Sequence, residues 1–226
     1  MLTLITSMAT RQLLNELAAR WQGMSGVEVS IESVGGVDAA RRIQAGEVFD
    51  GVVLASDAID RLIAGGHVLA GSRIDLVQSS VAVAVKAGAP LPDISTEDAL
   101  RSAIVAAPTI GYSTGPSGVA LVALFEKWGL LDELQARFVQ APPGVPVGTL
   151  VARGEVALGF QQLSELMGLG GIVVVGTLPE SIAITTIFSA GVCAVSNQPQ
   201  ELGRFLSFLA SREVAHTKLQ YGMQAA

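Results

Sequence analysis

Short apolar runs alternate with longer stretches of helical periodicity along most of the chain. Strands joined by crossover helices in a parallel sheet leave this pattern, because each strand is buried on both faces and each helix on one. It predicts strands at residues 2–5, 27–31, 51–54, 80–85, 109–112, 136–140, 157–160, 172–175 and 183–195. Between the first two, residues 10–22 read as a helix, with Leu13, Leu14, Leu17, Ala18 and Trp21 at helical spacing and Gly23 as its terminator. The Pro-rich stretch 87–94, followed by Ser95-Thr96-Glu97-Asp98, reads as a loop feeding the N-cap of another helix.

The chain also repeats itself. At an offset of 108 residues, Gly36-Val37, Gly46-Glu47-Val48, Gly51 and Ser56 fall on Gly144-Val145, Gly154-Glu155-Val156, Gly159 and Ser164. The same offset places Thr6 on Thr114, Leu13 on Leu121 and Asp57 on Glu165, with no insertion between. Such a repeat decides architecture. The expected fold class is α/β, with two similar lobes, each a mostly parallel sheet flanked by helices. Residues 1–79 plus 183–226 form lobe 1 and residues 80–182 form lobe 2, which makes a two-segment hinge with a ligand cleft between the lobes.

Composition narrows the function. Lys+Arg number 14 against Asp+Glu 20, a net charge of -6, without the basic face that nucleic-acid binding needs. Mean hydropathy is +0.52, yet Pro108, Gly111, Gly115, Pro116 and Gly118 break the longest uncharged stretch, so no membrane insertion is expected. The chain opens on a strand, with no basic region, apolar stretch and cleavage site. As it stands it reads as cytoplasmic, or as periplasmic with a leader removed. Cys193 has no disulfide partner and reads as a small buried apolar residue. His67 and His216 lie far apart without ligand-spaced neighbours, so neither a metal nor another cofactor is expected.

In an open α/β sheet the ligand lies beyond the carboxyl ends of the strands. The loops there are 6–10, 33–37 and 55–57 from one lobe, and 113–118, 142–145 and 161–165 from the other. Each leads into an expected helix, whose first N–H groups and dipole favour an anion. The candidate ligand-binding residues are Thr6, Ser7, Met8, Thr10, Arg11, Ser33, Ser56, Ser113, Thr114, Ser117, Gln161 and Gln162. They are mostly hydroxyls and amides, and Arg11 is the one basic residue among them. Hydroxyls before helices also serve simply as caps. Asp57 and Glu165, at matching positions, are candidate proton carriers if the protein is an enzyme, and first-turn helix charges if it is not.

Several strings carry a family resemblance: Ile43-Gln44-Ala45-Gly46-Glu47 with Asp50, Leu54-Ala55-Ser56-Asp57, the segment 83–96, Ile110-Gly111-Tyr112-Ser113, Ala152-Arg153-Gly154-Glu155 leading to Gly159-Phe160-Gln161-Gln162, and the segment 175–179. On these the chain resembles the type II periplasmic substrate-binding proteins, in the branch that holds molybdate-binding transport proteins and the aconitate isomerase group. The resemblance covers nearly the whole chain. It implies two mixed sheets, a hinge, and closure around a small anion held by hydroxyls and backbone amides. Positions that contact the anion in the molybdate binders read here Ser7-Met8-Ala9, Ser33, Ala55-Ser56, and Gln162 in place of a Tyr. Met8 and Gln162 depart from that pattern. The segment from Ala87 to Ser95 and the Gln161-Gln162 pair are closer to the isomerase-containing group, whose substrate class is small unsaturated carboxylic acids. The expected function is capture of a small anion, an organic carboxylic acid or a tetrahedral oxyanion such as molybdate, with a transporter's membrane component as a partner. The alternative is a cytoplasmic isomerase of a small unsaturated acid, using Asp57 or Glu165 for an allylic proton shift.

Overall fold

The computed structural model describes residues 1–226, the whole chain. They divide into two compact units, Met1–Ser79 with Thr186–Ala226, and Ser80–Thr185. The strands are β1 (Leu2–Ser7), β2 (Val29–Val34), β3 (Gly51–Ala55), β4 (Ile74–Lys86), β5 (Ile110–Tyr112), β6 (Phe138–Gln140), β7 (Leu158–Gln162), β8 (Ile172–Thr177), β9 (Thr185–Val192) and β10 (Gln224–Ala225). The α-helices are α1 (Arg11–Ser25), α2 (Gly36–Gln44), α3 (Ser56–Ala64), α4 (Glu97–Ala106), α5 (Pro116–Lys127), α6 (Leu131–Leu134), α7 (Val147–Arg153), α8 (Leu163–Leu166), α9 (Pro199–Ala210) and α10 (Ala215–Gln220). None is long and apolar enough to cross a membrane.

In the first unit the strand order is β2-β1-β3-β9, with the first half of β4 beside β9 and β10 against β4. β2, β1 and β3 run parallel, and β9 runs antiparallel to β3. Leu13, Leu14, Leu17 and Ala18 of α1 pack onto this sheet together with Phe205, Leu206 and Leu209 of α9. On the sheet's other face Ile5, Val52 and Leu54 meet Ala39, Ile43, Ile59 and Leu62 of α2 and α3. β1 and β3 are therefore covered on both sides, which is why β3 reads as an unbroken apolar run and β1 carries only small hydroxyls among its apolar residues.

α1 ends later than its periodicity suggests. Gly23 lies inside the helix, and the left-handed residue that stops it is Gly26, at φ 73°, with its N–H donating to the Gln22 carbonyl. A side chain there would be strained, whereas Gly23 needs only helical angles.

In the second unit β8 and β7 flank the second half of β4 antiparallel to it, and β5 pairs parallel with both β7 and β6. Phe125 of α5 is fully buried at the centre. Its ring stacks on Phe138 at 5.7 Å and meets Phe160 edge-on at 6.0 Å. The order β6-β5-β7 repeats β2-β1-β3, with all pairs parallel.

Strand register corrects the repeat by one residue. Leu4 pairs with Ile31 and Gly51, and Gly111 pairs with Val139 and Gly159. The second and third strands keep the offset of 108, but the first takes 107, because one more residue separates β5 from β6. Thr6 therefore matches Ser113 rather than Thr114, and Thr10 matches Ser117.

Candidate functional site

In the first unit the parallel strands end side by side at Ser7, Val34 and Ala55, and α1, α2 and α3 start from that edge. Ser7 is extended at φ -71° and ψ 159°, and the 3-10 turn Met8–Thr10 follows and runs straight into α1. No side chain caps α1, α2 or α3; the first N–H groups of α2 and α3 have no partner inside the helix, whereas α1 continues the 3-10 turn and its Arg11 N–H donates to the Met8 carbonyl. A Cβ built on Gly36 would lie 3.6 Å from the Ser7 Cβ, so the start of α2 abuts this serine. The Ser7 hydroxyl is buried, with 8% of the residue exposed, and it has no hydrogen-bond partner. An orphaned hydroxyl beside two helix N-termini is unusual, since buried polar atoms are nearly always satisfied.

The neighbouring hydroxyls are already used. Thr6 and Thr10 are fully buried; Thr6 Oγ1 donates to the Val53 carbonyl at 3.0 Å and lies within hydrogen-bond distance of Thr10 Oγ1. They tie the β1–α1 turn to β3. Both hydroxyls thus have partners within the fold. Ser33 and Ser56 are half-buried at the strand ends, as is Met8. Arg11 is exposed on the first turn of α1 and makes no ion pair.

In the second unit the matching hydroxyls are Ser113 and Ser117, 3.2 Å apart. They differ from the threonine pair in having no carbonyl acceptor, so one donates to the other and one proton stays available. Gly118 makes this turn possible. A Cβ there would sit 1.8 Å from the Ser113 carbonyl oxygen, so only glycine lets α5 start so close to the loop. Thr114 is exposed at the loop tip.

Gln161 has a role that the sequence reading did not give it. It is buried, and its Oε1 accepts from the Val147 N–H at 2.8 Å and the Gly148 N–H at 3.4 Å, capping α7 from the side. Its Nε2 donates to Glu165 Oε1 at 2.9 Å. Both ends of the amide are thus engaged within the protein. The N-terminus of α7 is likewise filled, and α8, at four residues, is too short to present a dipole. Gln162 is buried as the residue before α8.

The two acids placed in register by the repeat differ in surroundings. Asp57 is exposed and pairs with Arg61 on the same face of α3 at 2.8 Å. Glu165 is half-buried, and burial pushes its carboxyl up to about 7, opposed by the hydrogen bond from Gln161. Cys193 is buried, and burial, helped by the nearby Asp50 charge, pushes its thiol up to about 12, which fits an inert packing residue.

Sequence spacing misses Gly36 as a site-builder, and the doublet Gly35-Gly36 is the signal that could have found it.

Residues 2–224 match the family described as bacterial extracellular solute-binding protein. Among characterised relatives, an aconitate isomerase from Pseudomonas sp is 36% identical over 219 residues, which cover 95% of this chain and 84% of the relative. Among solved structures, the periplasmic molybdate-binding protein of Azotobacter vinelandii has a TM-score of 0.82 at 21% identity, over 99% of this chain and 98% of that one. The sulfate-binding protein of Mycobacterium tuberculosis has a TM-score of 0.78 at 16% identity, over 98% of this chain and 85% of that one. The two structures share the fold.

Proposed function

Since this chain belongs to the bacterial extracellular solute-binding protein family, we propose that it captures a small organic acid anion on the loops at the carboxyl ends of its parallel strands. The observation that carries this reading is Ser7: a buried hydroxyl with no partner, set where α1 and α2 begin. A carboxylate oxygen satisfies that hydroxyl and the adjacent free N–H groups together, without a basic side chain. An organic acid is favoured over a metal oxyanion because the relative that matches nearly the full chain acts on aconitate. A transporter's membrane component is the partner that a binding role implies. Calorimetric titration with trans-aconitate tests the reading, wild type beside Ser7→Ala. A hydrogen bond to a charged group contributes about 1.5–3 kcal/mol, so the variant should bind roughly ten- to a hundredfold more weakly with its melting temperature kept. Equal affinity would remove Ser7 from the site.

A second reading, isomerisation, is favoured by Glu165. A carboxyl near 7 is half-ionised at neutral pH and suits both removal and return of a proton. In the step, the allylic C–H bond of a bound unsaturated acid breaks as an O–H bond forms on Glu165, and the double bond shifts by one position. The Glu165 carboxyl, whose proton exchanges with solvent, then delivers a proton to the far carbon and is a carboxylate again. Deuterium uptake from heavy water into the bound acid reads this directly. Glu165→Gln should still bind and should lose exchange by a factor of roughly 10²–10⁴; full exchange in that variant would clear Glu165 of the role.

A further inference from the structure

We infer that Gln161 is the positioning residue of Glu165, an amide locked at one end by the start of α7 so that its other end fixes which carboxylate oxygen can exchange a proton. The inference rests on the isomerase reading for its chemical use, but its geometry stands alone. Asn and Gln side chains can flip end for end, and their orientation follows from their partners. For Gln161 only one orientation serves. Two backbone donors, the N–H groups of Val147 and Gly148, point at one end, and that end must be the carbonyl oxygen. The NH₂ end is then held against Glu165 Oε1. Gln161 and Glu165 are four residues apart, at the last turn of β7 and the first of α8, and the amide carries the order of α7 across to the acid. With Oε1 held by the amide, Oε2 is the oxygen assigned to take a substrate proton.

No charge competes with this arrangement. β7 reads Leu-Gly-Phe-Gln-Gln and carries none, and the part of β4 paired with it, Val81–Ala84, is apolar. The side chains packed about Leu166 and Leu163 beside Glu165 are Ala82, Ala84, Ile172 and Val174. On α7 the one charged residue is Arg153, at the opposite end of the helix, where it faces Glu155 at 3.8 Å. The carboxyl is thus governed by burial and by one amide. A donor that bonds the ionised form holds its affinity for protons down, while burial drives it up. Gln161 restrains the acid from being permanently protonated.

The test separates the two ends of the amide. Gln161→Glu keeps an oxygen for Val147 and Gly148 but turns an acceptor toward Glu165. The two carboxyls must then share a proton, and they titrate as a coupled pair. Carbon NMR of the side-chain carboxyls should show the wild-type Glu165 midpoint near 7 and, in Gln161→Glu, an upper step raised by about one unit or more. In wild type, the side-chain amide nitrogen signal of Gln161 should move with the same midpoint as the Glu165 carboxyl. This second measurement decides the matter if the variant does not fold. A Gln161 signal that stays flat through the Glu165 titration, or an unshifted Glu165 midpoint in folded Gln161→Glu, overturns the inference. Deuterium exchange by Glu165→Gln reads the base role separately, so retained exchange there would end the catalytic use and leave the titration result standing.

Discussion

Glu165 and Asp57 occupy matching positions in the two units and begin short and long helices respectively, yet only one of them leaves water. Asp57 extends along α3 to Arg61 in solvent, where such a pair is worth only a few tenths of a kcal/mol. Glu165 is drawn into the fold, and the consequence is a stability that depends on pH. Its carboxyl titrates near 7 when folded, against 4.5 for the free group, so between these values the native state holds more protons than the unfolded one. Stability from this group is fully present below about 4.5 and is lost as pH rises to about 7. At roughly 1.4 kcal/mol per pKa unit the loss is about 3 kcal/mol. Lys218, fully buried with its Nζ donating to the Leu76 carbonyl at 2.9 Å, acts in the opposite direction. Burial lowers its pKa, so its contribution is regained as pH rises toward the ordinary lysine value. Urea unfolding of wild type and Glu165→Gln between pH 4.5 and 8 should show wild type losing stability through this window and the variant nearly flat. Parallel curves would mean that the carboxyl is not held out of water.

At the scale of elements, what could be read from the chain was what burial writes into it. β3 and residues 81–85 in the second half of β4 are buried throughout and announce themselves as apolar runs, and α1 shows its buried stripe at Leu13, Leu14 and Leu17. Ends were less legible. β4 begins at Ile74, before its apolar core, because ladder hydrogen bonds continue through Asp75 and Gln78, whose polarity hides them. α1 runs past Gly23 because a glycine stops a helix only where the backbone turns left-handed, and that happens at Gly26. Of the site, the set of loops was legible, since strand and helix order determine it. The direction of each side chain was not. Thr6 and Ser7 are adjacent, but the strand alternates its faces, so Thr6 points at Val53 while Ser7 ends the strand beside Gly36. Gln161 and Gln162 separate for the same reason. No composition rule tells which hydroxyl of Thr6, Ser7 and Thr10 keeps a free proton; only the partner of each does.

At the scale of the whole molecule, one plan is used twice, as β2-β1-β3 in the first unit and as β6-β5-β7 in the second, and the two copies have diverged in what their turns offer. The first keeps helices of 15, 9 and 9 residues after its parallel strands, with uncapped starts around an orphaned serine. The second has filled the start of α7 with Gln161 and shortened α8 to four residues, leaving a spare hydroxyl at Ser113 and Ser117 and an acid at Glu165. Free N–H groups and hydroxyls in place of basic side chains suit a small anion with several acceptor oxygens, and they do not suit cations. The most direct test is the melting temperature of the wild-type protein against a panel of cis- and trans-aconitate, citrate, molybdate, sulfate, a neutral sugar and a polyamine. A ligand bound only to the folded state raises it by mass action, by an amount equal to about 2.7 kcal/mol at a hundred times the dissociation constant. The tricarboxylates should give the largest rise, the inorganic oxyanions less, and the sugar and polyamine none; a rise confined to the sugar or polyamine, or no rise with any carboxylate, would contradict capture of an organic acid anion.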